Sequence, residues 1–399
     1  MSSLSSTVLR RSAAALGAGV LLTVPLESAA QELLAQAPAP GYSRPGAQDF
    51  RRSLKIDLPK DSPVALVSAD WGESRAAARG GAIMLDLHTA LSLRNASTRR
   101  IRGVTLLVTA QEMTPGGKAS VTVPSLDVQP NEVFPVRIDL RLLRPLQTGS
   151  EPLVRVQLDG VLFDDLSFYG PNRLNSRRAL TVWEMEARRD RRYFQALLES
   201  EGDEGLRREM IASVARQSER PRIDVQVARG RATNQEADRT VQFAFLQFPE
   251  APVELLDGAA QIAGNEARSP HFQVRNRSGR AIRHLELGWI VTDRRGRDFH
   301  AGSVPADLTL GPGEQSQVVP QSGLRLSQRP GLPVSIEGMT GFLSSVEFSD
   351  GSVWIPTRRL LAEPRLQRAL APSAEEQRLT GIYVKKGLAA VIEELRRLN

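Results

Sequence analysis

The sequence predicts a mainly β protein made of two tandem β-sandwiches, each followed by an amphipathic helix. Three observations predict it. Apolar and polar residues alternate in short runs between Gly, Pro, Asn and Asp turns, the pattern of half-buried strands. A segment of the first half recurs in the second at a constant offset of 181 residues. After each half the alternation gives way to a spacing of three and four residues, the period of a helix with one apolar face.

Composition sets the outer limits. The 399 residues are 41% hydrophobic and 24% charged, which excludes a wholly disordered chain and allows two or three domains. There is no cysteine, so disulfide scaffolds, thiolate metal sites and cysteine nucleophiles are excluded. The net charge of +7 is a mild bias with acids interleaved among the bases. A dedicated nucleic-acid binder gathers its basic residues into a patch instead.

Residues 1–30 read as an export signal. Arg10 and Arg11 precede the uncharged apolar stretch Ser12 to Leu26, which is too short to span a bilayer comfortably. Small residues at Ser28 and Ala30 suit cleavage after Ala30. The ordinary secretory route is the expected one, with a twin-arginine signal, which the paired arginines resemble, as the alternative. Cleavage would lower the charge to +6 by removing Arg10, Arg11 and Glu27. Residues 31–50, rich in Ala and Pro, read as a flexible leader. No other apolar run approaches a membrane span, so the mature protein is expected to be periplasmic or secreted.

The first sandwich is placed at 51–175. Leu85, Leu87, Leu91 and Leu93 share one face while Asp86, His88 and Ser92 share the other. Asn95 to Arg100 is expected to turn this strand into a hairpin with Val104, Leu106 and Val108. Pro115-Gly-Gly and Gln129-Pro-Asn mark the next turns, and Leu153 to Phe168 supplies the last two strands. About seven short strands in roughly a hundred residues is the count of an immunoglobulin-like sandwich.

A helical linker is placed at 176–218, broken near Gly202 to Gly205. Leu180, Trp183, Ala187, Phe194 and Leu197 form its stripe. Arg177, Arg178, Arg188, Arg189, Arg191 and Arg192 surround that stripe. They are the candidate contacts for a partner or polyanion, against the plainer reading of a solvated face paired with Glu184, Glu186 and Asp190, which the spacing favours.

The second sandwich, with extra strands, is placed at 219–360. Leu91 to Arg102 aligns without a gap to Phe272 to Arg283, and Arg94, Asn95, Ser97, Ile101 and Arg102 are identical to Arg275, Asn276, Ser278, Ile282 and Arg283. Val274 to Ile282, Leu285 to Gly296, and Leu310-Gly-Pro-Gly-Glu314 come in turn through this half. Together they resemble the small bacterial extracytoplasmic immunoglobulin-like domains typified by the FxLYD family. The resemblance implies a sandwich of non-catalytic character and brings no catalytic residue with it.

The tail, 361–399, begins a helix at a capping-box signature, Ser373 with Glu376. Its stripe includes Ile382, Tyr383, Leu388, Val391 and Leu395, a candidate docking helix for a partner groove. Packing on its own sandwich is the commoner use of such a stripe.

Signatures of chemistry are absent from the sequence. His88, His271, His284 and His300 do not fall in a zinc spacing, and neither a nucleophile elbow nor a phosphate loop occurs. Asp164-Asp165 reads as a turn, and the Asn95 and Asn276 sequons read as turn formers. The expectation is therefore an exported, non-enzymatic binding or scaffold protein of the bacterial envelope, without cofactor or metal. Its expected partner is an envelope protein, or alternatively an anionic wall polymer or lipid surface bound in a salt-sensitive way.

Overall fold

The computed structural model describes residues 54–79, 81–110, 118–145, 154–220, 223–228, 239–320, 323–328 and 332–397. The segments read as an export signal and a leader, the Pro115 to Gly117 turn and Leu398 lie outside the described residues. Among the described residues the first half contains nine strands: β1 (Leu54–Asp57), β2 (Val64–Asp70), β3 (Arg75–Arg79), β4 (Ala82–Asn95), β5 (Ile101–Thr109), β6 (Lys118–Val123), β7 (Val133–Pro145), β8 (Val154–Phe163) and β9 (Phe168–Tyr169). They form two facing sheets. One runs β1-β8-β5-β6 with β9 against β8. In the other, β2 and β3 lie in succession along one edge of β4 while β7 covers the opposite edge. Leu85, Leu91 and Leu93 of β4 and Val136 and Ile138 of β7 meet Val104, Leu106, Val156 and Phe163 of the facing sheet in one core.

The hairpin expected at Asn95 to Arg100 does not form. Among the described residues β4 pairs only with β2, β3 and β7, and β5 only with β6 and β8, apart from a bridge to Val128, so the turn carries the chain from one sheet to the other. Alternation names the buried face of a strand but not its partner, which is a non-local choice. β5 also differs from β4 in being buried along its whole length, because a helix covers its outer face.

That helix is α1 (Ser176–Glu219). It reaches the sheet over glycines: a Cβ on Gly103 would stand 2.6 Å from the Leu180 side chain, and one on Gly160 would collide with the Phe168 ring and Ser176. Asn175 precedes α1 in a left-handed conformation and offers no side-chain cap. Asn172 takes over that task, its Oδ1 accepting from Arg177 N (2.9 Å), while Asp159 of β8 fastens the approach to the helix by accepting from the backbone of Arg173 (2.7 Å) and Leu174 (3.3 Å) and from Ser176 Oγ (2.7 Å). The break expected near Gly202 falls on Gly202 itself, at φ 66° and ψ −164°.

The second half holds β10 (Ile223–Ala228), β11 (Arg239–Leu246), β12 (Val253–Ala263), β13 (Glu266–Asn276), β14 (Ile282–Thr292), β15 (Asp298–Leu310), β16 (Gln315–Val318), β17 (Gly323–Gln328), β18 (Leu332–Pro333), β19 (Gly338–Phe348) and β20 (Val353–Trp354). Here β11 joins what would otherwise be two sheets. Its first part pairs antiparallel with β12 and its second part pairs parallel with β19, as β1 pairs parallel with β8. Trp289 centres the core, 4.5 Å from the Phe243 ring and 6.3 Å from Phe272.

One corner has the same construction in both halves. Asn95 is fully buried; its Nδ2 donates to the carbonyls of Arg99 and Val128, and its Oδ1 accepts from Ser97 N and Oγ. Asn276 does the same with Arg280, Leu310, Gly311 and Ser278. Arg99 stacks 3.7 Å over Phe163, and Arg280 stacks 3.9 Å over Phe348.

The tail folds as α2 (Arg358–Leu361), α3 (Pro364–Ala369), α4 (Ala374–Lys386) and α5 (Leu388–Arg397). Gly387, at φ 82°, divides what reads as one stripe into the α4–α5 hairpin. Ser373 caps α4 by accepting from Glu376 N (3.1 Å). The reciprocal half of the capping box is replaced, because the Glu376 carboxylate is drawn into the interior. The tail stripe packs on α1 rather than on a sandwich: Leu379, Val391, Ile392 and Leu395 enclose Phe194, Leu206 and Met210.

Candidate interaction site at the helical junction

Four parts of the chain meet along α1, and charged side chains hold the meeting. Glu184 is buried on the apolar stripe. Its Oε1 accepts from Arg188 (2.8 Å) and Arg191 (3.0 Å), with Arg102 of β5 at 3.7 Å. Arg102 also binds Asp127 (2.9 Å), which receives Arg397 of α5 (3.1 Å). Arg191 faces Glu375 of α4 (3.7 Å), and Glu375 grips Arg378 through both oxygens. First sandwich, long helix and tail are thus linked through consecutive ion pairs.

A second set centres on Arg358 at the start of α2. It pairs with Glu376, lies 3.5 Å from the fully buried Asp190 and 3.6 Å from Glu209, and stacks 4.8 Å over Tyr193. Burial alone would lower the pKa of Arg358, but the carboxylates of Glu376, Asp190 and Glu209 more than offset it and hold the guanidinium charged. Glu376 is likewise held below the usual carboxylate range. Burial acts to raise it, and Arg358, Ser213 and Arg216 outweigh that effect.

Five of the six sequence-predicted arginines occupy this junction. Arg191 is buried; Arg188 donates to Glu184 and to the Asp164 carbonyl; Arg189 binds Asp190 and the Pro356 carbonyl (3.1 Å). Arg178 reaches Asp307 and Glu347 of the second sandwich, both at 3.5 Å. Arg177 lies against Gly351, and Arg192 is exposed. Glu184 and Asp190 are not the solvated partners that their spacing suggests, because Glu184 lies against Arg102 of the first sandwich and Asp190 beneath Arg358 of the tail. Among the tail residues, Val391 and Leu395 are buried, and Ile382, Tyr383 and Leu388 pack around the same cluster. The face proposed for a partner is filled from within the chain.

Titratable groups also line the contact between α1 and the outer face of the second sandwich. Burial pushes Glu186 up to about 7, aided by Asp190 and Glu286 against Arg189. His284 is buried with Nδ1 2.6 Å from Asp307 and with no hydrogen-bond partner at Nε2. Burial and Arg178 lower its pKa against the pull of Asp307 and Glu286. Burial pushes His300 down to about 4, with Arg220 adding to the effect. Ser303 and Ser345 bond Glu286, so neither is paired with His284. Among the described residues no group of three or more His, Asp and Glu is arranged to hold a metal ion, and no helix is long and apolar enough to cross a membrane.

Sequence reasoning missed Arg102, Glu184, Asp190, Arg358, Glu375 and Glu376 as a connected set. One signal was available: Leu180, Glu184, Ala187, Arg191 and Phe194 share one helical face, which places an acid and a base inside the apolar stripe.

No known protein family matches the chain and no curated protein resembles it. Among solved structures, a red sea bream transglutaminase is 8% identical with a TM-score of 0.12, covering 71% of this chain and 31% of that one. A PhpD complex with cadmium and hydroethylphosphonate is 12% identical with a TM-score of 0.09, covering 69% of this chain and 81% of that one. Likeness at this level carries no argument about fold or activity.

Proposed function

We propose that this chain is an exported, non-enzymatic scaffold of the bacterial envelope that binds a protein partner through two sandwiches held in fixed mutual orientation. The observation that carries this reading is the junction itself. α1 contacts both sandwiches and the tail, and buried ion pairs tie all four together. Buried pairs of this kind add little net stability over apolar packing, but they specify one arrangement, because any other leaves charges unpaired. An adaptor that presents two surfaces at a set distance needs that specificity. The export signal and the resemblance to extracytoplasmic immunoglobulin-like domains support the destination.

The second reading, salt-sensitive binding of an anionic polymer or lipid, rests on the mature charge of +6 and the arginines of α1. It is the weaker one, since Arg178, Arg188, Arg189 and Arg191 are engaged within the chain. Crosslinking and capture of the mature protein in its own envelope, eluted in salt steps, separates the two. The scaffold reading predicts one stoichiometric protein partner retained at high salt. Complete release at modest salt with no protein enriched would contradict it.

A further inference from the structure

The long edge strand β7 has a paired side and an open side. Its even-numbered residues face β4, as shown by the Glu132 carbonyl accepting from Asn95 N (3.0 Å) with the register unbroken from there to Pro145. The odd-numbered residues, Val133 to Leu143, therefore turn their N–H and C=O groups to the opposite edge, where no described strand pairs with them. Pro135 stands among them, at a position where its missing N–H costs the existing ladder nothing.

The second half shows how this kind of edge is completed. There β16 and β17 pair in succession with β13, as β7 pairs with β4, and the free side of β17 is covered by β10 in antiparallel register. The first half has no counterpart of β10 among the described residues.

We propose that the open edge of β7 pairs antiparallel with the same edge of a second copy of this chain, about a two-fold axis through Ile138. The side chains on the exposed face are self-complementary in that register and in no neighbouring one. With Ile138 opposite itself, Arg137 faces Asp139 of the second copy, and Asp139 faces Arg137. Val133 faces Leu143 at both ends; these are two of the large apolar side chains the first sandwich exposes, at 51% and 45%. Arg141 falls opposite Pro135, whose carbonyl still accepts. Registers that keep exposed residues opposite exposed residues move in steps that shift the axis by one residue. Centring on Asp139 sets Asp139 against itself and Arg137 against Arg141, and centring on Arg137 sets two arginines together. Like charges directly opposed across strands are destabilising. Asp139 and Arg141 are largely exposed, at 67% and 63%, and their contacts to His88 and Asp86 lie on their own sheet. The interface is isologous and closes as a dimer.

Analytical ultracentrifugation of the mature chain from micromolar to millimolar concentration tests the proposal, with hydrogen exchange read at both ends of the range. The expected result is a reversible dimer, with slowed exchange at Arg137, Asp139, Arg141 and Leu143 as concentration rises. Arg137→Asp and Asp139→Arg should each weaken association by about tenfold or more, and the double exchange should restore it. Both positions are exposed, and unchanged circular dichroism and melting confirm that the variants fold. A monomer at every concentration would overturn the proposal, including one whose β7 edge is protected by its own leader. A dimer indifferent to all three variants would overturn it as well.

Discussion

Asn95 and Asn276 stand 181 positions apart and anchor the same corner, each donating through Nδ2 to carbonyls across the turn and accepting through Oδ1 from the serine two residues on. Both are fully buried, so removing the amide strands two or more carbonyls. Asn276→Ala should cost roughly 2–4 kcal/mol in urea unfolding, and Asn95→Ala a similar amount. Asn276→Asp should be no better, because a carboxylate cannot donate to those carbonyls. A loss under about 0.5 kcal/mol would show that the corner relaxes freely.

Arg358 is the shared partner of Asp190 and Glu376. Arg358→Leu leaves two buried carboxylates short of a counter-charge and should cost about 3–5 kcal/mol. It should also expose the α4–α5 hairpin to limited proteolysis before either sandwich is cut. Simultaneous loss of all protected regions would indicate that the tail does not open independently.

Glu186 and His300 give the stability opposite pH dependences. The folded value of Glu186, about 7, lies above its ordinary 4.5, so its contribution is complete below pH 4.5 and is lost as pH rises through 7. That of His300, about 4, lies below its ordinary 6.5, so its contribution is complete above pH 6.5 and is lost as pH falls towards 4. Glu186→Gln should therefore stabilise the protein by about 1–2 kcal/mol at pH 8 and leave it little changed at pH 4. His300→Gln should flatten the acid limb. Melting curves from pH 4 to 8 check both, and an E186Q gain that is equal at both ends would contradict the assignment.

Gly103 lets α1 lie close on β5, with Leu180 filling the space where a side chain would stand. Gly103→Val should cost about 1–3 kcal/mol by overpacking and raise hydrogen exchange in the first turns of α1. The Asn95 corner should stay protected. Unchanged exchange in α1 would mean that the helix shifts without loss.

The fold class was legible because each of its signals is local. Alternation marked the strands, Gly202 marked the helix break, and the Asn-x-Ser turn marked the recurrence. What was not legible depended on distant partners. The Asn95 to Arg100 turn has the composition of a hairpin, yet Arg100 leads into a strand of the facing sheet. Glu184 sits at good spacing for an exposed ion pair with Arg188, and only the first sandwich and the tail closing on α1 bury it and Asp190. Glu376 reads as half of a capping box until Arg358 and Ser213 claim its carboxylate. The Pro135 to Leu143 edge shows in the sequence as alternation, whereas its openness depends on there being no neighbouring strand among the described residues.

The central claim is that the two sandwiches are held in one orientation, and the absence of cysteine makes a direct test simple. Thr98→Cys and Gln273→Cys place one exposed label on each sandwich, and pulsed electron–electron spin resonance on a spin-diluted sample reads the distance between them. The account predicts a single narrow distribution that broadens when Arg358→Leu is added. A broad or multiple distribution in the otherwise unaltered protein would contradict it.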